Sequence, residues 1–149
     1  MSELKVNKIL VPTDFSAAVG EAEQAAMVMA KTFHASVDLL HVITMTAIVT
    51  PPADVTALHA MLPELLKQVK ANLDLEAGRF RDAGIPCEAK SVEGRPHSEI
   101  VRHARENSAD LIVMATHGHG GLAHAVLGSV TERVLHKAGC PVLVIPVRA

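Results

Sequence analysis

Tryptophan and tyrosine are absent from this chain, and phenylalanine occurs three times in 149 residues. Its core must therefore be aliphatic, and it lacks the aromatic platforms on which single-stranded nucleic acid stacks. Cationic charge is not in excess: 14 Lys and Arg stand against 16 Asp and Glu, a net charge of -2. Binding to a phosphate backbone rests on clustered Lys and Arg, so the balance argues against nucleic acid as a main partner. No apolar run reaches the roughly 18 residues of a membrane span. The opening MSELKVNKIL has no signal-type apolar stretch, so no membrane association is expected. Cysteine is scarce too. Cys87 and Cys140 fit no CxxC or metal-type spacing, which suits a reducing cytoplasm.

What is present is aliphatic and alternating. A chain of this length reads as a single domain, residues 1–149, able to bury roughly 70% of its unfolded surface. NKILVP (7–12) is a β-type run ended by Pro12, and Ser16 can cap the helix that follows. Ala22, Ala25, Ala26, Met29, Ala30 and Phe33 recur there at helical spacing. SVDLLHVI (36–43) is a second strand, and residues 44–60, with Pro51 and Pro52, read as a loop. Leu62, Leu66, Val69, Leu73, Ala77 and Phe80 predict a long amphipathic helix ending near Gly84. CEAKSV (87–92) is polar enough for a sheet edge, and Pro96–Glu106 is a shorter helix with proline in its first turn. DLIVMA (110–115) is continuously apolar, as a strand covered on both faces should be. A helix from about Ser129 to Lys137 and a last strand, PVLVIPV (141–147), complete the chain.

Strands alternating with helices predict an α/β doubly wound parallel sheet of five strands with helices on both faces. Ligands of such sheets sit beyond the carboxyl ends of the strands, where strand order reverses. Two loops are chemically distinctive at those ends: PTDFS after the first strand and ATHGHGGLAHAVLGS after the fourth. Cys87 and Cys140 should lie near opposite edges of this sheet, with no disulfide between them.

The second loop packs four glycines between Ala115 and Gly128, yet no Lys or Arg falls between Arg105 and Arg133. Gly118 to Ala123 satisfies GxGxxG/A, but it follows the fourth strand, and no strand with a terminal acid lies about 20 residues on. A P-loop is excluded because the lysine it requires is missing. A third reading uses the far end. Gly128 followed by Ser129, Val130 and Thr131 opens a helix, whose unpaired N–H groups form an anion site from main chain and dipole alone. The bland alternative is that Ser129-Val-Thr-Glu132 is only a capping box, with Gly128 a turn residue.

PTDFS at 12–16, LLHVI at 39–43, DLIVMATHG at 110–118, LGSVTERV at 127–134 and CPVLVIP at 140–146 together resemble the universal stress protein family. The resemblance runs nearly end to end and is weakest over residues 44–72. It implies strand order 3-2-1-4-5 and a cytoplasmic homodimer joined through the last strand, 141–147. Members that bind ATP carry G-x2-G-x9-G-[ST], matched here by Gly118, Gly128 and Ser129 with Ala115 at the first position. Alanine costs about 1–2 kcal/mol, or roughly tenfold in affinity, where a left-handed backbone is needed, and little at a strand end. Binding is expected to survive, weakened.

The resemblance also implies that Asp14 accepts hydrogen bonds from ribose hydroxyls, the residue-level alternative being an Asx-type turn. It implies that the Val42 main chain meets the adenine edge, with Pro12, Thr13 and Met114 lining the pocket. His119 stands where many relatives carry Arg or Lys, and its protonation would tighten phosphate binding near pH 6. His117, His119 and His124 lack a carboxylate or thiolate companion in the loop, so no metal site is expected. His41 and His103 are expected at core edges or on the surface.

The function expected is an adenine-nucleotide-binding stress-response module that takes ATP or AMP, with Mg²⁺ or Mn²⁺ carried on the phosphates. No pair of groups resembles a nucleophile with its general base, so the residues favour a binding module over an enzyme, with hydrolysis slow at most. Two rivals stay open: a slow metal-dependent nucleotide hydrolase, and a ligand-free dimeric interaction protein whose glycine loop is only a helix cap.

Overall fold

The computed structural model describes residues 3–45, 55–117 and 127–147. Nine elements follow in order: β1 (Lys8–Pro12), α1 (Ala17–Phe33), β2 (Ser36–Ile43), α2 (Val55–Asp82), β3 (Cys87–Glu93), α3 (Pro96–Glu106), β4 (Leu111–Ala115), α4 (Ser129–Lys137) and β5 (Val142–Ile145). The strands form one parallel sheet in the order β3-β2-β1-β4-β5. The doubly wound architecture and its strand order are therefore as expected. All five residues of β4 are buried, the polar β3 takes one edge, and β5 takes the other.

Alternation along the strands sorts the core into two layers. Ile9, Val11, Val37, Leu39, Leu111, Val113 and Ala115 pack with Ala22, Ala26 and Ala30 of α1 and Val69, Leu73, Ala77 and Phe80 of α2. On the opposite face, Leu10, Leu40, Ile112 and Met114 meet Ile100 and Ala104 of α3 and Val134 of α4. Ala22, Ala26 and Ala30 form the inward stripe of α1, and Phe80 of α2 is a fully buried large side chain of this layer.

Three expectations are corrected. Residues 55–60 are helical, because α2 starts at Val55 and runs through Pro63. Residues 46–54 lie outside the described residues. In α2 the inward position belongs to Leu65 rather than Leu66, which is exposed. Finally, Ser16 occupies the N-cap of α1 with extended backbone, but its hydroxyl makes no capping bond.

Both cysteines are free thiols, one in β3 and one just before β5. His103 is buried on α3, with Nε2 3.3 Å from Asp38 Oδ2, while Lys8 Nζ stands 3.8 Å from the same oxygen. His103 is thus an interior residue paired with a carboxylate. Among the described residues, no helix is long and apolar enough to cross a membrane.

Candidate functional site

Strand order reverses between β1 and β4, which pair directly through Ile9–Leu111 and Leu10–Ile112. The chain leaves these strands in divergent directions, so their carboxyl ends bound a crevice. On one side stands the Pro12–Ser16 loop, and on the other the end of β4 and the first turn of α4.

Thr13 is the anchor of the first loop. It is buried, and its N–H donates to Leu40 O over 2.8 Å, extending the β1–β2 ladder by one bond. Its carbonyl accepts from His41 Nδ1 at 2.8 Å, which places a proton on that nitrogen. Its hydroxyl accepts from Phe15 N at 3.1 Å and donates to Glu76 Oε1 at 3.2 Å. Asp14 Oδ1 accepts from Ser16 N at 2.9 Å, forming an Asx-type turn. Between these bonds Phe15 adopts a left-handed backbone, φ 63°, with its ring stacked on His41 at 4.3 Å between centroids. Left-handed backbone is costly for an aromatic residue and persists where surrounding bonds over-determine it. His41 is thus a working part of this loop.

Across the crevice, the capping box does not form. The N-cap of α4 is Gly128, with extended backbone and no side-chain cap, so Ser129 is already the first helical residue. The first intrahelical bond runs from Glu132 N to Gly128 O at 3.0 Å. The N–H groups of Ser129, Val130 and Thr131 precede that bond and point out of the helix, together with its positive dipole end. Gly128 donates to Thr116 O at 2.7 Å. A Cβ there would lie 3.3 Å from His117 Cα and from Thr116 O, so glycine serves close backbone approach rather than an unusual φ. Thr131 Oγ1 donates to Ala115 O at 2.9 Å in a buried position, fixing the helix start to the strand end.

Residues Pro12, Val42 and Met114 occupy alternate positions that share the α3/α4 face of the sheet, the side on which α4 opens. Met114 is buried, while Val42 and Pro12 are half-buried. Ala115 ends β4 in extended conformation, and its methyl packs in the core on the α1 side. Its backbone therefore makes no demand for glycine here. Gly118 and His119, like His124, lie outside the described residues, and His117 is half-buried beside Thr116. Among the described residues, no group of three or more His, Cys, Asp and Glu is placed to hold a metal ion.

A buried carboxyl pair under the first loop was not anticipated. Glu23 on α1 and Glu76 on α2 are both buried and lie close enough for each carboxyl to perturb the other. Burial, then the negative charge of Glu76, pushes Glu23 up to about 7 despite Arg79 nearby. Burial also raises Glu76, against the hydrogen bonds from Thr13 and Glu23. The signal was present in the sequence. Glu23 sits among Val19, Ala22 and Ala26, and Glu76 among Leu73, Ala77 and Phe80, so each carboxylate interrupts the apolar stripe of its helix.

The sequence model of the universal stress protein family matches residues 5–146. Universal stress protein MJ0531 of Methanocaldococcus jannaschii is 38% identical over 139 residues, covering 93% of this chain and 81% of that one. The solved structure of MJ0577, from the same organism, superposes with a TM-score of 0.85 at 31% identity, covering 97% of this chain and 99% of that one. A universal stress protein from Archaeoglobus fulgidus, solved in complex with dAMP, shares the fold with a TM-score of 0.69 at 22% identity, covering 95% and 98%.

Proposed function

This chain belongs to the universal stress protein family, and from that premise we propose that it binds an adenine nucleotide, ATP or AMP, in the crevice between β1 and β4. The observation that carries the reading is the start of α4. Gly128 takes the N-cap position, leaving the N–H groups of Ser129, Val130 and Thr131 for an anion instead of a Ser–Glu capping box. With no Lys or Arg between Arg105 and Arg133, the phosphates are held by main chain and dipole. Mg²⁺ or Mn²⁺ carried on those phosphates offsets the remaining charge. Gly118 and His119 complete the phosphate loop, and Ala115 contributes its main chain. Asp14 takes the ribose, and the Val42 main chain meets the adenine edge, with Pro12, Thr13 and Met114 beside it. The dAMP complex of the Archaeoglobus fulgidus protein supports an adenine nucleotide in this fold.

In this reading the protein is a single-domain cytoplasmic homodimer, joined through strand 141–147, that acts in stress adaptation. Hydrolysis is absent or slow at most in this reading. Bound nucleotide would change the surface offered to a partner protein. One observation favours the ligand-free alternative. Asp14 already commits one carboxylate oxygen to the Ser16 amide, as a purely structural turn would.

The deciding experiment is to denature the purified protein, identify released nucleotide by mass spectrometry, and titrate the stripped protein with ATP and AMP by calorimetry. Carried-over nucleotide or micromolar binding is the expected result. No nucleotide and no heat at millimolar ligand would make the loop a helix cap.

A further inference from the structure

Glu23 and Glu76 stand with their Oε2 atoms buried and without an N–H or O–H donor. Arg79 Nη1 approaches Glu23 Oε2 only to 3.9 Å, beyond hydrogen-bond reach, and its side chain is half exposed. Thr13 donates to Glu76 Oε1, and a proton held between the two carboxyls would supply the missing donor, with protonated Glu23 donating to Glu76. Glu76 is then the acceptor at which the proton and the loop meet. From Thr13 the linkage continues without a gap: its hydroxyl takes the Phe15 amide, whose left-handed residue sets the direction of Asp14 and Ser16.

We propose that the proton shared by Glu23 and Glu76 holds Thr13, and through it the Pro12–Ser16 loop, in ligand-ready form, so that nucleotide affinity falls when the proton leaves. Glu23 and Glu76 are positioning residues that never touch the ligand. This inference rests on the nucleotide reading above and adds its regulation. Loss of the proton leaves two carboxylates facing each other, with only the half-exposed Arg79 to offset them. That arrangement forces water between α1 and α2 or drives Glu76 away from Thr13. The charged and titratable groups that face the pair are Arg79 from α2, Asp14 from the loop and Cys87 from β3. His41 of β2 stands on the far side of Thr13, at its carbonyl. Since burial holds Glu23 up to about 7, the change falls in the physiological range. Bound nucleotide must, by reciprocity, tighten the hold on the proton.

The test is calorimetry with AMP at pH 5.5, 7 and 8.5 on the full chain, in wild type, Glu23→Gln and Thr13→Val, with Thr13→Ser as the conservative rescue. Wild type should weaken by about tenfold from the lowest pH to the highest, roughly the effect of one pK unit of coupling. The neutral amide of the first variant mimics the protonated acid, so Glu23→Gln should lose most of that slope while keeping the low-pH affinity. Thr13→Val should also flatten the slope, and Thr13→Ser should restore it. Titration of the AMP phosphate and of His119 is common to wild type and Glu23→Gln, so their difference in slope isolates the pair. An unchanged slope in Glu23→Gln, or firm but pH-independent binding in wild type, overturns the proposal and leaves the nucleotide reading standing. If AMP binds at no pH, the nucleotide reading falls and takes the affinity effect with it. Amide resonances of Phe15 and Ser16 in ligand-free protein then decide the rest. A transition near pH 7 in wild type, lost in Glu23→Gln, retains the proton-held loop, and flat resonances remove it.

Discussion

The hydroxyl of Thr131 donates to the carbonyl oxygen of Ala115 over 2.9 Å, out of contact with water. One bond therefore joins the end of β4 to the first turn of α4, on either side of the glycine loop. It makes the direction of three helix N–H groups a property of the sheet rather than of the loop. Thr131→Val keeps the volume and leaves the Ala115 carbonyl without this partner, a loss of about 1–3 kcal/mol. Thermal unfolding should show that loss, and Thr131→Ser should recover most of it. If Thr131→Val unfolds at the wild-type temperature, the bond contributes nothing.

Gly128 is required for space. Its φ of -63° suits any residue, but an added methyl would meet His117 Cα and Thr116 O at 3.3 Å. Gly128→Ala must push α4 away from the β4 exit by a few tenths of an ångström. Affinity for ATP or AMP should fall by about tenfold, roughly 1.4 kcal/mol, while thermal stability changes by less. Calorimetry beside a melting curve separates the two effects. Equal affinity in the variant would mean that phosphate does not use this helix start.

The buried carboxyl pair also makes stability depend on pH, with a definite sign. Glu23 binds its proton more tightly in the folded chain, about 7 against 4.5 for the ordinary group. Between those values the unfolded chain is ionised while the folded chain is not, so stability falls as pH rises from about 4.5 to about 7. The full effect is on the order of 3 kcal/mol. Denaturant unfolding at pH 5 and pH 8 should show wild type more stable at the lower pH, with Glu23→Gln nearly level. The opposite slope in wild type would rule out the shared proton.

Most of the sheet was legible because each strand position has a plain chemical signature. A strand covered on both faces must be apolar throughout, as β4 is, and an edge strand can carry Glu88, Lys90 and Ser91, as β3 does. The Ser16 cap departs from expectation, and the Ser129–Glu132 box, the alternative reading, does not form. Ser before a helix and Ser-x-x-Glu at its start signal capping only if the side chains turn inward. Thr116 O instead draws Gly128 N, which moves the cap one residue back and leaves Ser129 outside the box. Residues 55–60 form a helical end whose side chains from Thr56 on stay mostly exposed, so no buried stripe announced it. Glu23 and Glu76 lie 53 positions apart in sequence. On its own helix each is only a break in an apolar stripe, and the fold brings the two together under Thr13.

Thiol reactivity offers a check on the sheet itself. Cys87 is buried in β3, and burial pushes its thiol up to about 11 against the help of Arg81. Cys140 is half-buried, and burial, then the charge of Asp110, raises its thiol as well. At pH 8 about one part in a thousand of Cys87 is thiolate, and that fraction is screened from solvent. Iodoacetamide followed by peptide mass spectrometry should label Cys140 first and Cys87 only after denaturation. Early labelling of Cys87 would place β3 outside the sheet.

Asp14 is where the ligand reading and the turn reading part company, and two substitutions separate them. The Asx turn needs one acceptor oxygen for the Ser16 amide. Asparagine supplies that oxygen, so Asp14→Asn should keep the turn, the left-handed Phe15 and the melting temperature. A ribose diol donates two hydroxyl protons and is held best by a carboxylate, whose ionised oxygens accept about twice as strongly as a neutral amide. Asp14→Asn should therefore lose at least tenfold in affinity for AMP with stability nearly intact, whereas Asp14→Ala should lose both. If Asp14→Asn binds AMP as wild type does, the carboxylate serves the turn alone. The ribose is then held by main chain, and no residue of this loop reads the sugar by charge. A slow hydrolase predicts a third pattern, in which Asp14→Asn binds normally in Mg²⁺ but a measurable wild-type turnover disappears. Calorimetry and phosphate release on the same two variants thus assign Asp14 to the turn, the ribose or the chemistry.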